Sequence, residues 1–289
     1  MKKISIIIPA YNEEEALPAL MERITKFADD TKDYDFEFLF VNDGSKDRTI
    51  ELIKEYREKD KRVCYVDFAR NFGKETAMKA GIDYATGDAV VFLDADLQDP
   101  PEIITEMIKY WEEGYDDVYA QRKSRKGETW MKKFTSKMYY KVLQDLTNVP
   151  IQKDTGDFRL LDRRCVNALK VMNESQRNSK SMFSWIGYKK KAIFYDRDPR
   201  VAGKTKWNYS KLINLAIDGI TSFTTSPLRI STFIAIPTFL VLFVYFIYVI
   251  AKSFIVHQPI QAFQATILLI LFFSGIQIML FGIVGEYLG

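Results

Sequence analysis

Two long apolar runs near the C-terminus constrain the fold of this chain more than any other feature of its sequence. Residues 230–251 and 253–285 contain no Asp, Glu, Lys or Arg. Each run exceeds the roughly 20 residues that an α-helix needs to cross the hydrocarbon core of a membrane. Two such runs in series, joined by a short connector around 252–261, favour membrane spans over buried core helices. The sequence therefore predicts a two-helix transmembrane hairpin over 230–289.

Charge is distributed unevenly along the chain. Residues 1–117 contain 16 Lys/Arg against 28 Asp/Glu, whereas the remainder contains 25 against 10, for a net charge of +3. A basic half favours an anionic partner, either nucleic acid or a membrane surface. Nine Lys and Arg residues lie between 189 and 229, but the connector contains only Lys252. The positive-inside rule therefore predicts a multi-pass protein of the cytoplasmic membrane, with its large domain in the cytoplasm and lipid, not nucleic acid, as its anionic partner.

Four apolar residues recur at helical spacing ahead of the first run: Leu212, Ala216, Ile220 and Phe223. This stripe predicts an amphipathic juxtamembrane helix over 207–229 that lies in the membrane interface, and packing against the soluble domain is the alternative. Residues 1–206 then form the cytoplasmic domain.

The chain is poor in residues that bind soft metals or transfer protons near neutral pH. His257 is the single histidine, and Cys64 and Cys165 are far apart in the sequence. Zinc sites built on histidine and Ser-His catalytic triads are therefore excluded. Any bound metal must have oxygen ligands, which points to Mg²⁺ or Mn²⁺.

Strand and helix patterns alternate over the N-terminal part of the chain. Apolar runs at 3–8, 36–41, 63–68 and 89–93 predict strands that are covered on both faces, and a helical segment follows each one. This alternation predicts an α/β domain with a doubly wound, mostly parallel, Rossmann-like sheet. In such sheets, ligands bind outside the carboxyl ends of the strands.

Candidate ligand-binding residues follow three of these strands: Pro9, Tyr11, Asn12 and Glu13 after the first, Asp43 after the second, and Asp94 and Asp96 after the fourth. An isolated Asp-x-Asp is more often a solvated turn. At a strand end beside other polar residues, however, two aspartates one residue apart can hold a hydrated divalent ion that takes its other ligands from substrate phosphates.

Five segments of the chain resemble glycosyltransferase family 2: SIIIPAYNEE near the start, VNDGSKDRT at 41–49, NFGKETAMKAG at 71–81, GDAVVFLDADLQDPPE at 87–102 and TGDFRLLDR at 155–163. With the two C-terminal spans, the chain is similar to the bacterial polyprenyl-phosphate glycosyltransferases, which resemble dolichyl-phosphate mannose synthases. The resemblance implies a GT-A fold, a nucleotide-sugar donor, undecaprenyl phosphate as acceptor, and Mg²⁺ or Mn²⁺ as cofactor.

The resemblance also implies roles on the donor side of the site. Pro9, Tyr11 and Glu13 would line the nucleotide pocket, and Asp43 would accept a hydrogen bond from the base. Asp94 and Asp96 would bind the metal and the diphosphate, with Gln98 as a further ligand.

On the acceptor side, Asp157 in TGDFR matches the carboxylate that is usually assigned as catalytic base. A phosphate monoester has a second pKa of ~6 and needs little deprotonation at pH 7, so an orienting role for Asp157 is the alternative. The remaining candidates would contact the acceptor phosphate, three in or beside the basic stretch at 121–134 and two in RVAGKTKW at 200–207: Arg122, Lys132, Ser136, Arg200 and Lys206.

These inferences predict a metal-dependent, inverting transfer of one sugar to undecaprenyl phosphate. UDP-glucose is the first candidate donor, with UDP-N-acetylglucosamine and GDP-mannose as alternatives. A processive polysaccharide synthase is disfavoured because the sequence contains no Gln-x-x-Arg-Trp segment. A non-catalytic, membrane-anchored nucleotide-sugar-binding partner is the competing class, and the apolar spans make a homo-oligomer a further expectation.

Overall fold

The computed structural model describes residues 1–122, 155–172, 179–196, 226–257 and 259–288. They fall into two compact units. The first contains a β-sheet with its flanking helices, and the second contains the two C-terminal helices.

The first unit is built on a seven-stranded sheet in the spatial order β3-β2-β1-β4-β6-β5-β7. Its strands are β1 (Lys2–Ala10), β2 (Tyr34–Asn42), β3 (Val63–Asp67), β4 (Ala89–Phe92), β5 (Asp117–Arg122), β6 (Thr155–Asp162) and β7 (Lys190–Tyr195). Only β6 runs antiparallel to its neighbours among the described strands. The predicted mostly parallel α/β sheet is confirmed.

The helices described in this unit are α1 (Leu17–Asp30), α2 (Thr49–Lys59), α3 (Lys74–Tyr84), α4 (Ile103–Glu112), α5 (Arg163–Val171) and α6 (Ser179–Trp185). They cover both faces of the sheet, which explains the continuous apolar runs. Ile6 of β1 belongs to one core cluster with Leu20 of α1 and Ile104 of α4. Ile7 lies on the opposite face, where a Cβ on Gly81 of α3 would come within 2.3 Å of its Cγ2 atom.

The antiparallel strand β6 decides which residues meet at the carboxyl edge of the parallel strands. Its register pairs Arg159 with Phe92, the last residue of β4. The residues at the start of β6 therefore extend past the end of β4, toward the loop that carries Asp94. The sequence pattern did not predict this strand pairing.

A buried polar cluster lies near the amino end of β4. Glu37 of β2 accepts hydrogen bonds from the Ser5 hydroxyl, from the Thr86 backbone amide at 3.1 Å and from the Lys3 ammonium at 3.1 Å. Burial opposes the charged form of this carboxyl, but these hydrogen bonds outweigh it and lower the pKa of Glu37.

We expect Glu37→Gln to lower the free energy of unfolding by about 1–3 kcal/mol at pH 7, because it replaces a buried, hydrogen-bonded carboxylate with a neutral amide. A depressed pKa contributes stability that is present above the unfolded pKa of ~4.3 and is lost as the pH falls through the folded value. The variant should therefore lose less stability than the parent in this acidic range, as measured by melting the full chain in detergent. Glu55→Gln, at an exposed position on α2, is the control. An unchanged acid dependence in Glu37→Gln would contradict the assignment.

The second unit contains α7 (Ser226–Val256) and α8 (Ala262–Leu288). Each includes a 23-residue segment that is long and apolar enough to cross a membrane. These segments are Phe233–Ile255 and Ala262–Val284. The prediction of two long apolar helices is confirmed, although the first begins at Ser226, before the predicted start at 230. Most of the predicted juxtamembrane helix, residues 207–225, lies outside the described residues.

The two helices pack closely at one glycine and leave large apolar side chains exposed. A Cβ on Gly275 of α8 would lie 3.1 Å from the Phe239 ring of α7. Phe254 is 78% exposed and Phe263 is 73% exposed. An apolar surface of this extent is stable in contact with lipid but is a liability in water.

Candidate active site

The loops that follow β1 and β2 are joined by hydrogen bonds. The Asn12 backbone amide donates to the Ser45 hydroxyl at 2.9 Å, and the Asn12 side-chain oxygen accepts from the Lys46 amide at 2.8 Å. Gly44 has a φ of +64°, and a Cβ at this position would lie 2.3 Å from the Arg70 carbonyl carbon. Only glycine therefore allows the loop after β2 to pack against the loop after β3.

Asp43 fixes the loop that leads into α3. Its carboxylate is buried and accepts hydrogen bonds from the Phe72 amide at 2.7 Å, the Gly73 amide at 2.9 Å and the Asn71 side-chain amide at 2.9 Å. An ionised carboxylate has about four acceptor positions, so it retains capacity for one further donor. Contact with a nucleotide base stays a prediction, and the structure adds a loop-organising role that the sequence did not reveal.

The other residues predicted to contact the nucleotide lie along this same edge. Pro9 pairs with Val41 near the end of β1, past Ile7, where the pairing of β1 with β4 ends. Proline, which has no backbone N–H to donate, is tolerated there because the ladder with β4 has already ended. Tyr11 and Glu13 are half-buried in the following loop. The position of these residues is compatible with a nucleotide pocket, and their contacts with a nucleotide remain predicted.

Lys74 joins the two carboxylates that the sequence assigned to different sides of the reaction. Its Nζ atom lies 2.6 Å from Oδ1 of Asp94 and 2.7 Å from Oδ2 of Asp157. Asp94 follows β4, Asp157 comes from the antiparallel strand β6, and Lys74 is the first residue of α3. Three separate elements therefore place an Asp-Lys-Asp bridge at the carboxyl edge of the sheet.

The charges in this bridge stabilise one another. Burial opposes the ionised form of Asp157, but Lys74 and then Lys180 outweigh it and hold the pKa of Asp157 below its usual range. Burial likewise opposes the ammonium form of Lys74, and the charges of Asp157 and Asp94 raise the pKa of Lys74 above its usual range. Asp157 is consequently ionised at neutral pH and is a weak proton acceptor.

The Asp94–Gln98 loop offers oxygen ligands for a metal. Asp96 is buried, its Oδ1 atom accepts from the Gln98 amide at 3.2 Å, and Leu97 between them has a φ of +57°. Within the described ranges, no group of three or more His, Cys, Asp or Glu side chains is placed to hold an ion. Asp157 Oδ1 is buried and has no hydrogen-bond partner among the described residues.

These features fit a hydrated Mg²⁺ or Mn²⁺ that is held by few protein ligands. Carboxylate and amide oxygens are suitable donors for such ions, and water and phosphate complete the coordination. The partnerless oxygen of Asp157 shows that the site retains acceptor capacity. Asp94, Asp96 and Gln98 stay the predicted metal ligands.

Arg122, predicted to contact the acceptor phosphate, ends β5 and belongs to a buried polar network. It hydrogen-bonds the Tyr195 hydroxyl, which in turn donates to Asp99. Arg122 lies close to Gly156, the residue before Asp157. A Cβ added to this glycine would be 3.8 Å from the Arg122 Nη2 atom. Its Nε atom is buried without a hydrogen-bond partner in the described part of the chain. The other predicted phosphate contacts lie outside the described residues: Lys132, Ser136, Arg200 and Lys206.

Sequence reasoning missed Lys74 and Asn71 as functional candidates. A usable signal was present, since NFGK directly follows the third predicted strand and must lie at the same edge of the sheet as the aspartates. The contact of Lys74 with Asp157 could not be found in this way, because it depends on the pairing of β6 with β4.

Comparisons with known proteins agree with this architecture. The Glycosyl transferase family 2 model matches residues 5–169. An uncharacterized glycosyltransferase of Synechocystis is 45% identical over 99% of this chain and 90% of its own length. The bactoprenol glucosyl transferase of Shigella phage SfX is 39% identical over 99% of this chain and 94% of its own length.

The fold is also found in a solved structure. Glucosyl-3-phosphoglycerate synthase from Mycobacterium tuberculosis, in complex with Mn²⁺, UDP and glucosyl-3-phosphoglycerate, matches 75% of this chain and 76% of its own with a TM-score of 0.51 at 16% identity. This likeness confirms the predicted GT-A fold. The chain is an enzyme that belongs to glycosyltransferase family 2.

Proposed function

We propose that the protein transfers one glucose from UDP-glucose to undecaprenyl phosphate, with inversion at the anomeric carbon. The observation that carries the proposal is the bridge of Asp94, Lys74 and Asp157 beside the loops that Asp43 and Asn12 organise. Similarity over 99% of the chain to a phage bactoprenol glucosyl transferase supports the acceptor and the sugar. The product would be a polyprenyl-phosphate sugar that donates glucose to cell-envelope glycans.

In this reaction an oxygen of the acceptor phosphate attacks the anomeric carbon of glucose, and the bond from that carbon to UDP breaks. The acceptor monoester is largely a dianion at pH 7, so no proton need be removed. Asp94, Asp96 and Gln98 would hold the divalent ion. When bound, the ion supplies positive charge that offsets the charge developing on the departing diphosphate.

Asp157 then acts by position and charge. Its lowered pKa makes it a poor base. Its contact with Lys74 supports a role in orienting cations around the acceptor phosphate and the donor diphosphate. On the acceptor side, we assign the lipid phosphate to Arg122 together with Lys132, Ser136, Arg200 and Lys206. Arginine suits this task because it can form two parallel hydrogen bonds to a phosphate.

The membrane segments would keep the enzyme beside its lipid acceptor. We propose that α7 and α8 span the cytoplasmic membrane, that residues 207–229 lie in its interface and that residues 1–206 act on the cytoplasmic face. The excess of Lys and Arg between 189 and 229 supports this orientation.

The proposal is tested with the full chain in detergent, undecaprenyl phosphate and one donor at a time: UDP-glucose, UDP-N-acetylglucosamine or GDP-mannose. Mass spectrometry of the lipid product should show addition of one hexose from UDP-glucose, and NMR should show a β-linked sugar formed from the α-linked donor. If a product forms only with another donor, the assignment of glucose is wrong and the sugar of that donor takes its place. Failure of every donor would favour the non-catalytic binding role.

We expect chelation of divalent ions to lower turnover by about 100-fold or more, because the charge on the leaving diphosphate would lose its metal counter-ion. Mn²⁺ or Mg²⁺ added in excess of EDTA should restore the rate. EDTA saturated with Mn²⁺ beforehand is the control for direct inhibition by the chelator. Full turnover in metal-free EDTA would exclude a required ion.

A further inference from the structure

The backbone at Lys74 is anchored, whereas the charged end of its side chain can move. On one side of Lys74, the Gly73 amide donates to Asp43 at 2.9 Å. On the other side, Glu75 accepts from the Ser179 amide at 3.0 Å. The Lys74 side chain itself is 43% exposed. The start of α3 is therefore held in place, while the four-carbon stem of the lysine can reorient.

Binding of a divalent metal would reverse the sign of the net charge on the bridge of Asp94, Lys74 and Asp157. Asp94 and Asp157 carry two negative charges against the one positive charge of Lys74. A divalent ion on Asp94 would bring two more positive charges to the carboxylate that Lys74 contacts at 2.6 Å. Cations at such distances repel strongly where water is partly excluded. Lys74 and the ion therefore compete for Asp94, and the displaced ammonium needs another anion within reach.

We propose that Lys74 is a mobile counter-ion of the active site. It holds Asp94 and Asp157 together until a divalent ion binds Asp94, and its ammonium then moves onto the diphosphate of the nucleotide donor. The diphosphate is the anion that arrives with the ion, and an ammonium is a suitable point-charge partner for phosphate. This inference rests on the proposed function, because it requires the donor to bind at Asp94.

The test measures two affinities that should change in opposite directions. Binding of Mn²⁺ to the full chain in detergent, without nucleotide, is followed by electron paramagnetic resonance of the free ion. Lys74→Met should bind Mn²⁺ about 10-fold more tightly, because a competing charge-assisted contact is gone. UDP binding at saturating Mn²⁺, followed by calorimetry at the same pH, should be about 10-fold weaker in this variant.

A purely structural role for Lys74 would weaken both affinities together. Lys74→Arg, which retains the charge, should keep Mn²⁺ affinity near that of the parent. Lys79→Met is the matched control, since Lys79 lies on the same helix and pairs with Asp83. Unchanged or weaker Mn²⁺ binding in Lys74→Met, or unchanged UDP binding, would overturn the proposal, and so would tighter Mn²⁺ binding in Lys74→Arg. Neither measurement needs an acceptor. If Lys74→Met shows both shifts and the parent forms no lipid-linked sugar, the result would contradict the proposed function alone.

Discussion

Replacing Asp94 with Asn is expected to lower kcat/KM for sugar transfer by about 10³-fold or more, while the fold is retained. The variant removes one negative charge at the point where the proposed metal and diphosphate bind, and charge stabilisation of this kind often dominates catalysis. The change is nearly isosteric, and the Asp94 side chain is 30% exposed and pairs with Lys74, so the fold should tolerate it. Initial rates of lipid-product formation measure the effect, and circular dichroism checks the fold.

The matched control for this experiment is Glu102→Gln. Glu102 belongs to the same acidic stretch, but it pairs with Arg23 on the surface at 2.8 Å and makes no described contact with the bridge. An exposed pair of this kind contributes about 0–1 kcal/mol to stability, so turnover should stay near that of the parent. Equal losses in the two variants would mean that the stretch acts by its overall charge, and retained activity in Asp94→Asn would remove Asp94 from the site.

Asp157→Asn is expected to lower kcat by about 10²- to 10³-fold without moving the acidic limb of the pH–rate profile. The loss would come from misplaced cations, because Lys74 would keep only one of its two carboxylate partners. The pKa of Asp157 lies below its usual range, so the residue is charged throughout the range above about pH 4. The limb should instead follow the second ionisation of the acceptor phosphate near ~6.

A full pH profile of kcat for the parent and the variant measures this effect. Asp162→Asn on the same strand is the control for stability, because Asp162 accepts from Trp111 at 2.8 Å and from the Arg164 amide at 2.9 Å at the far end of β6. It should lower the melting temperature but leave kcat near that of the parent. A disappearance of the acidic limb in Asp157→Asn would restore the assignment of Asp157 as general base, and near-parent turnover would exclude both roles.

Much of the sheet could be predicted from local patterns. The apolar runs at 3–8 and 36–41 are buried strands because helices cover both faces of the sheet, and burial on both faces produces continuous hydrophobicity. The position of Asp43 and Asp94 at one edge followed from the parallel arrangement of the strands that precede them. The second unit was predictable for a similar reason, since membrane lipid requires long uncharged helices.

The partners of the site residues could not be predicted in the same way. Asp43 was expected to face a base, yet its carboxylate binds three donors in the 71–73 loop. Arg122 was expected to face a lipid phosphate, and the structure also connects it with Tyr195 and Asp99. Each contact joins residues that are distant in sequence, and no local periodicity encodes such pairings.

The sequence by itself determined the class of fold, the two membrane-compatible helices and the edge of the sheet where the candidate site lies, because burial and periodicity leave a local imprint on residue order. Only the tertiary structure decided that Asp157 meets Asp94, and that Lys74 lies between them. The physical reason is the antiparallel pairing of β6 with β4, which places the start of one strand beyond the end of the other. Such a register depends on packing of the whole sheet rather than on either segment alone.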